Sequence, residues 1–146
     1  LYAATETDLE KGNKMLPTEQ QVTPLEQSRE LYDQGFLLDT QWCWHRKDNL
    51  WLLKRGKHPY WEMGVDTYSA PTVAELAILL PWMVNKSSIY TLMIWRCGAG
   101  WGVDYFNDLN RPLINSWAGE NLAKTMGDRV IWLTKEKILK PEEIKL

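Results

Sequence analysis

Histidine, cysteine and phenylalanine each occur only twice in this chain of 146 residues. Two cysteines, Cys43 and Cys97, are too few for a disulfide scaffold and stand at no zinc spacing. They read as two buried thiols of a reducing compartment, with a Cys43–Cys97 bridge as the alternative. His45 and His58 lack the helical spacing of a metal pair. No Walker loop, H-E-x-x-H, G-x-S-x-G or C-x-x-C occurs. Gly98-Ala99-Gly100-Trp101-Gly102 mimics a phosphate loop, but it joins two strand-like runs and opens no helix, so it reads as a hairpin turn. No apolar run approaches the roughly 20 residues that span a bilayer, and the first 20 or so residues are too polar for a secretory leader. The expectation is a non-catalytic protein without metal or cofactor, away from membranes. Duplex DNA fits poorly too, because net charge is −2 and no helix carries a basic stripe.

What the chain has in excess is tryptophan, nine residues against two Phe. Trp combines a large apolar face with a donor that needs a partner, so it suits cores, interfaces and ring-stacking pockets. Charge is uneven as well. Residues 1–40 carry net −5, residues 41–60 carry +4 and the rest −1, so the basic region coincides with a Trp-rich segment.

The length suits one domain. Residues 1–22 lack periodicity and read as a mobile arm, in which Met15 is a candidate natural start. Residues 23–138 read as a single α+β domain and 139–146 as a frayed tail. Thr23-Pro24-Leu25-Glu26 has the form of a capping box opening a helix that buries Leu25, Ser28, Leu31 and Tyr32 and stops at Gly35. Gln41–Arg46 and Leu50–Arg55 flank Lys47-Asp48-Asn49 as a β-hairpin, followed by an irregular aromatic connection over 56–69. Thr72 and Glu75 form a second capping box for a short helix with Val73, Leu76, Ala77 and Leu80 on one face, ended by Pro81. Ser88–Arg96 and Trp101–Phe106 make a second hairpin, and roughly Ala118–Ile138 a long amphipathic helix with Leu122, Met126, Val130 and Leu133 inward. The expected order is α-β-β-α-β-β-α, three helices on one four-stranded antiparallel sheet, with a possible αββ duplication.

The stretches Pro24–Phe36, Tyr68–Leu76, Asn121–Lys124 and Val130–Leu133 resemble a group of small phage and prophage proteins of uncharacterised function. The resemblance rests on cap and core residues and brings no catalytic residues with it. It implies a bacterial-cell setting, in the cytoplasm, and a viral role such as binding a host protein or a nucleotide signal of antiviral defence.

The residues suited to such binding are aromatic and basic: Trp44, Arg46, Trp51 and Arg55 on the first hairpin, Tyr60 and Trp61 beyond it, and Arg96 and Trp101 at the second turn. Arginine offers a planar fork to phosphate oxygens, and Trp or Tyr a stacking face to a base. The expected function is sequestration of a nucleotide-like small molecule, as a cyclic nucleotide or ADP-ribose-type signal, by a homo-oligomer. The alternative is a protein-interaction module that docks a host or phage protein on an exposed sheet face.

Overall fold

A computed structural model describes residues 20–56, 63–115 and 119–144. The arm expected over 1–22, with Met15, lies almost wholly outside the described residues. Helix α1 spans Leu25–Asp33 and starts at Pro24 without a side-chain cap. The expected Thr23–Glu26 box therefore does not form, because Thr23 is fully buried and engaged elsewhere. Its hydroxyl lies 2.6 Å from Ser28 Oγ, its N–H donates to Pro71 O at 3.1 Å, and its carbonyl accepts the Trp44 indole N–H at 2.9 Å. A buried residue must find partners for every polar atom, and in doing so Thr23 ties α1 to the first sheet.

That sheet contains β1 (Trp42–Lys47), β2 (Leu50–Arg55) and β3 (Thr67–Ser69), all antiparallel in the order β2-β1-β3. Asp48 and Asn49 make the two-residue turn at φ 53° and 64°, a left-handed pair that Asp and Asn tolerate and that matches strand twist. β1 is central, so Cys43 and Trp44 are both buried although they point to opposite faces. Val22, Trp44 and Ala70 form a small core there, with Leu25, Trp42, Trp51 and Leu53 against it.

Helix α2 (Val73–Leu79) has the capping box that the sequence predicts. Thr72 Oγ1 accepts from Glu75 N at 3.3 Å, and Glu75 Oε1 accepts from Thr72 N at 2.9 Å. Glu75 Oε2 also takes the Gln41 N–H at 3.0 Å, which fixes the start of β1. Leu76 and Leu79 are its buried residues, whereas Ala77 faces out. Pro81 then turns the chain into β4 (Met83–Lys86), followed by β5 (Ser88–Cys97) and β6 (Gly100–Phe106) in the order β4-β5-β6. Helix α3 (Leu122–Lys135) begins at Asn121, whose side chain accepts from Lys124 N. Its Met126, Val130 and Leu133 are fully buried against Val103, Tyr105 and Leu76 in the main core. Past α3, Ile138, Leu139 and Ile144 pack on the same core. Among the described residues no helix is long and apolar enough to cross a membrane.

The α+β class holds, but the single four-stranded sheet does not. Two separate three-stranded sheets replace it, and the order is α-β-β-β-α-β-β-β-α. The physical reason lies in strand edges. Each hairpin acquires a short third strand from chain next to it in sequence, β3 beside β1 and β4 beside β5. Such local pairing closes a short loop at small entropic cost, and it takes one edge of β1 and the first part of one edge of β5 before a more distant strand can. The strand orders of the two halves also differ, so the αββ duplication is corrected as well. Cys43 is buried and Cys97 exposed, so they are not both buried as expected, and they form no disulfide.

Tyr105 is buried in the main core, with its hydroxyl donating to Pro81 O at 2.6 Å. Burial, and then the neighbouring Asp104 charge, push its pKa well above the usual tyrosine value of about 10. The folded chain therefore keeps this proton at pH values where the unfolded chain has lost it. Stability is fully present below pH ~10 and falls as pH rises beyond it. Tyr105→Phe should cost about 1 kcal/mol at neutral pH and lose less stability than wild type between pH ~10 and ~12. Parallel alkaline slopes in urea unfolding would assign the alkaline loss to other groups.

Candidate functional site

The proposed binding residues separate into a core position, an isolated exposed arginine, two Arg–Trp pairs and two positions outside the described residues. Trp44 is buried at 5% exposure with its indole N–H taken by Thr23, so it serves the core. Tyr60 and Trp61 lie outside the described residues. Arg55 is exposed near the end of β2 and lines an open hollow with Asp39 and Glu75. Arg96 and Trp101 are cross-strand partners on β5 and β6, the guanidinium 5.6 Å from the ring centroid. Trp101 also lines a cleft of about 250 Å³ with Val73, Ala74 and Leu122. Arg46 and Trp51 are cross-strand partners on the other sheet, where three further elements reach them.

Around Trp51 the chain builds an aromatic and basic cluster. Arg29 of α1 places its guanidinium 5.0 Å from the Trp51 ring and 5.6 Å from the Tyr68 ring. Arg46 stands 5.9 Å from the Trp51 ring. Tyr68 of β3 lies 5.6 Å from Trp51 and meets Tyr32 edge to face at 5.7 Å. Cation–π attraction of this kind is worth ~0.5–2 kcal/mol according to desolvation.

The two arginines differ in charge balance. Arg46 is paired with Asp66 at 2.7 Å, both about half exposed. Arg29 has no hydrogen bond or ion pair with any described residue, and its Nε is buried without a partner. The rings offset part of the desolvation cost of that donor, but no hydrogen bond among the described residues does. The cluster thus carries one cation that its own residues neutralise and one that they do not.

Arg29 and Tyr68 were absent from the candidates drawn from sequence, yet a signal existed. Arg29 is four residues after Leu25 and three before Tyr32, on the stripe that faces the sheet. An arginine on the buried side of an amphipathic helix is the anomaly that marks it. Among the described residues no group of three or more His, Cys, Asp or Glu side chains could hold a metal ion. Compared with known proteins, the chain matches no family model, no curated protein and no solved structure.

The turn before β3 closes this cluster. Gly64 has φ +87°, its carbonyl accepts the Tyr68 hydroxyl at 3.0 Å, and a Cβ there would clash with the tip of the Tyr32 phenol. Gly64→Ala combines a left-handed backbone with overpacking, so it should destabilise by at least about 2 kcal/mol. An unchanged urea midpoint would mean that this turn does not close over Tyr32.

Proposed function

We propose that this is a non-catalytic binding protein for a phosphate-bearing, nucleotide-like small molecule, held where Arg29 and Arg46 flank Trp51. The observation that carries the proposal is Arg29, a guanidinium fixed by two rings and lacking a counter-charge among the described residues. Ring packing lowers the entropy lost when the fork engages an anion, and a guanidinium matches two phosphate oxygens at once. Arg46 supplies the second charge. Its bond to Asp66 is half exposed, and ion pairs of that kind are worth only ~0–1 kcal/mol, so a dianionic phosphate can compete for it. Aromatic side chains around the fork exclude water on one side and strengthen the charge interaction. In the bacterial cytoplasm of an infected cell, the setting implied by the phage-protein resemblance, such binding would sequester a nucleotide signal of host defence.

Thermal melting with mono-, di- and cyclic nucleotides, inorganic phosphate and phosphate-free nucleosides tests this. At a hundred times the dissociation constant the bound ligand stabilises by about 2.7 kcal/mol, several degrees at this size. Phosphate-bearing compounds should raise the melting temperature and nucleosides should not. Arg29→Met keeps much of the aliphatic packing but removes the charge, and should abolish the shift. A flat panel, or a shift that survives Arg29→Met, removes this site from the function.

A further inference from the structure

Strand β5 is 10 residues long, but β4 accompanies only its first part. Their pairing ends at Met83↔Thr91, with one more bond from Leu92 N–H to Trp82 O at 2.9 Å. From Met93 to Cys97 the strand has β6 on one side and, among the described residues, no strand on the other. The two-residue turn makes Cys97 and Gly100 a hydrogen-bonded pair, so Met93 and Trp95 also bond to β6. The N–H and C=O of Ile94 and Arg96 then point to the open side, as the direction of Leu92 N–H requires.

The far edge of β6 meets the same need differently. Trp101 exchanges both backbone bonds with Gly119, Val103 O accepts from the Arg129 side chain, and Tyr105 O accepts from Leu113 N. Among the described residues one edge of the sheet is closed and the other is open from Met93 onward. Beside the open edge, Trp82 is 72% exposed, Met93 48% and Ile94 43%. Unpaired backbone groups next to exposed apolar side chains form a template for another strand.

We infer that a second copy of the chain fills this edge, β5 pairing antiparallel with β5 about a two-fold axis at Trp95. Ile94 then lies opposite the partner's Arg96, and Met93 opposite the partner's Cys97. Three constraints select this register. The open segment and the segment that fills it are the same residues, so the lengths match. Only registers that pair even-numbered residues with even-numbered ones join the free groups to each other. Of those, a shift one way sets Arg96 against the partner's Arg96, a like-charge pair. A shift the other way needs the Leu92 N–H, which Trp82 already holds. The contact is isologous and closes at a dimer. It is independent of the anion-binding proposal, since it lies on the other sheet.

Sedimentation velocity and light scattering over a concentration series should give twice the chain mass for the wild type. Ile94→Lys sets a cation opposite the partner's Arg96 and should yield a monomer whose melting is close to wild type, because this side chain is partly exposed already. Met93→Cys should oxidise to a covalent dimer through the partner's Cys97, since pairs of this type bring Cβ atoms close; Thr91→Cys, on the same face, should not. A wild type that stays monomeric, a dimer that survives Ile94→Lys, or a Met93→Cys chain that gives no covalent dimer each overturns the inference. A monomer that instead takes up an extended peptide, seen as amide shifts at Ile94 and Arg96, assigns the edge to another occupant and overturns it as well.

Discussion

The carbonyl of Val103 lies in the middle of β6, in the main core, with β5 on one side and, among the described residues, no strand on the other. A buried acceptor without a partner is costly, and the partner here is the Arg129 guanidinium from α3. Much of the second half of the molecule depends on that bond. It fixes the rotation of α3 about its axis, which in turn sets Met126, Val130 and Leu133 against the sheet. Burial lowers the Arg129 pKa, while Asp104 and Asp128 act in the opposite sense. Asp104 is itself buried and held by the backbone N–H groups of Tyr105, Ile114 and Asn115 at 2.7–3.0 Å. Charge and backbone bonds therefore close this edge together.

The same physical requirement explains the two candidate surfaces. Among the described residues Gln27 Oε1 and Arg29 Nε are the buried side-chain polar atoms without a hydrogen-bond partner, while the free backbone groups of β5 face water. The open edge of β5 leaves backbone groups for a strand to meet. The cluster around Trp51 holds a guanidinium whose Nε is buried without a hydrogen-bond partner among the described residues.

Much of the element pattern was legible in sequence because its causes are local. Thr72 and Glu75 are three residues apart, and their box forms as that spacing dictates. Asp48-Asn49 and Gly98-Ala99 place the two hairpin turns, since few residues accept a left-handed backbone. The inward residues of α3 follow from a 3.6-residue period. The Thr23 box fails for a nonlocal reason, because Trp44 and Pro71 reach the same residue from elsewhere in the chain. β3 and β4 are three and four residues long, too short to show an alternation above the noise. Trp44 and Trp51 look alike in sequence and share one face of the sheet, yet one is core and the other borders a charged cluster, a difference set by how far along that face the rest of the chain covers it.

By itself, then, the sequence determined the helices, both hairpins and the richness in tryptophan and arginine, all consequences of spacing and backbone preference within about ten residues. Only the tertiary structure decided that the hairpins lie in separate sheets. It also decided that Arg29 joins Arg46 around Trp51 and that, among the described residues, the edge of β6 is covered while the end of β5 is not. Those outcomes turn on which buried group is satisfied by which distant partner. That competition is settled among residues far apart in the chain, and no local pattern records its result.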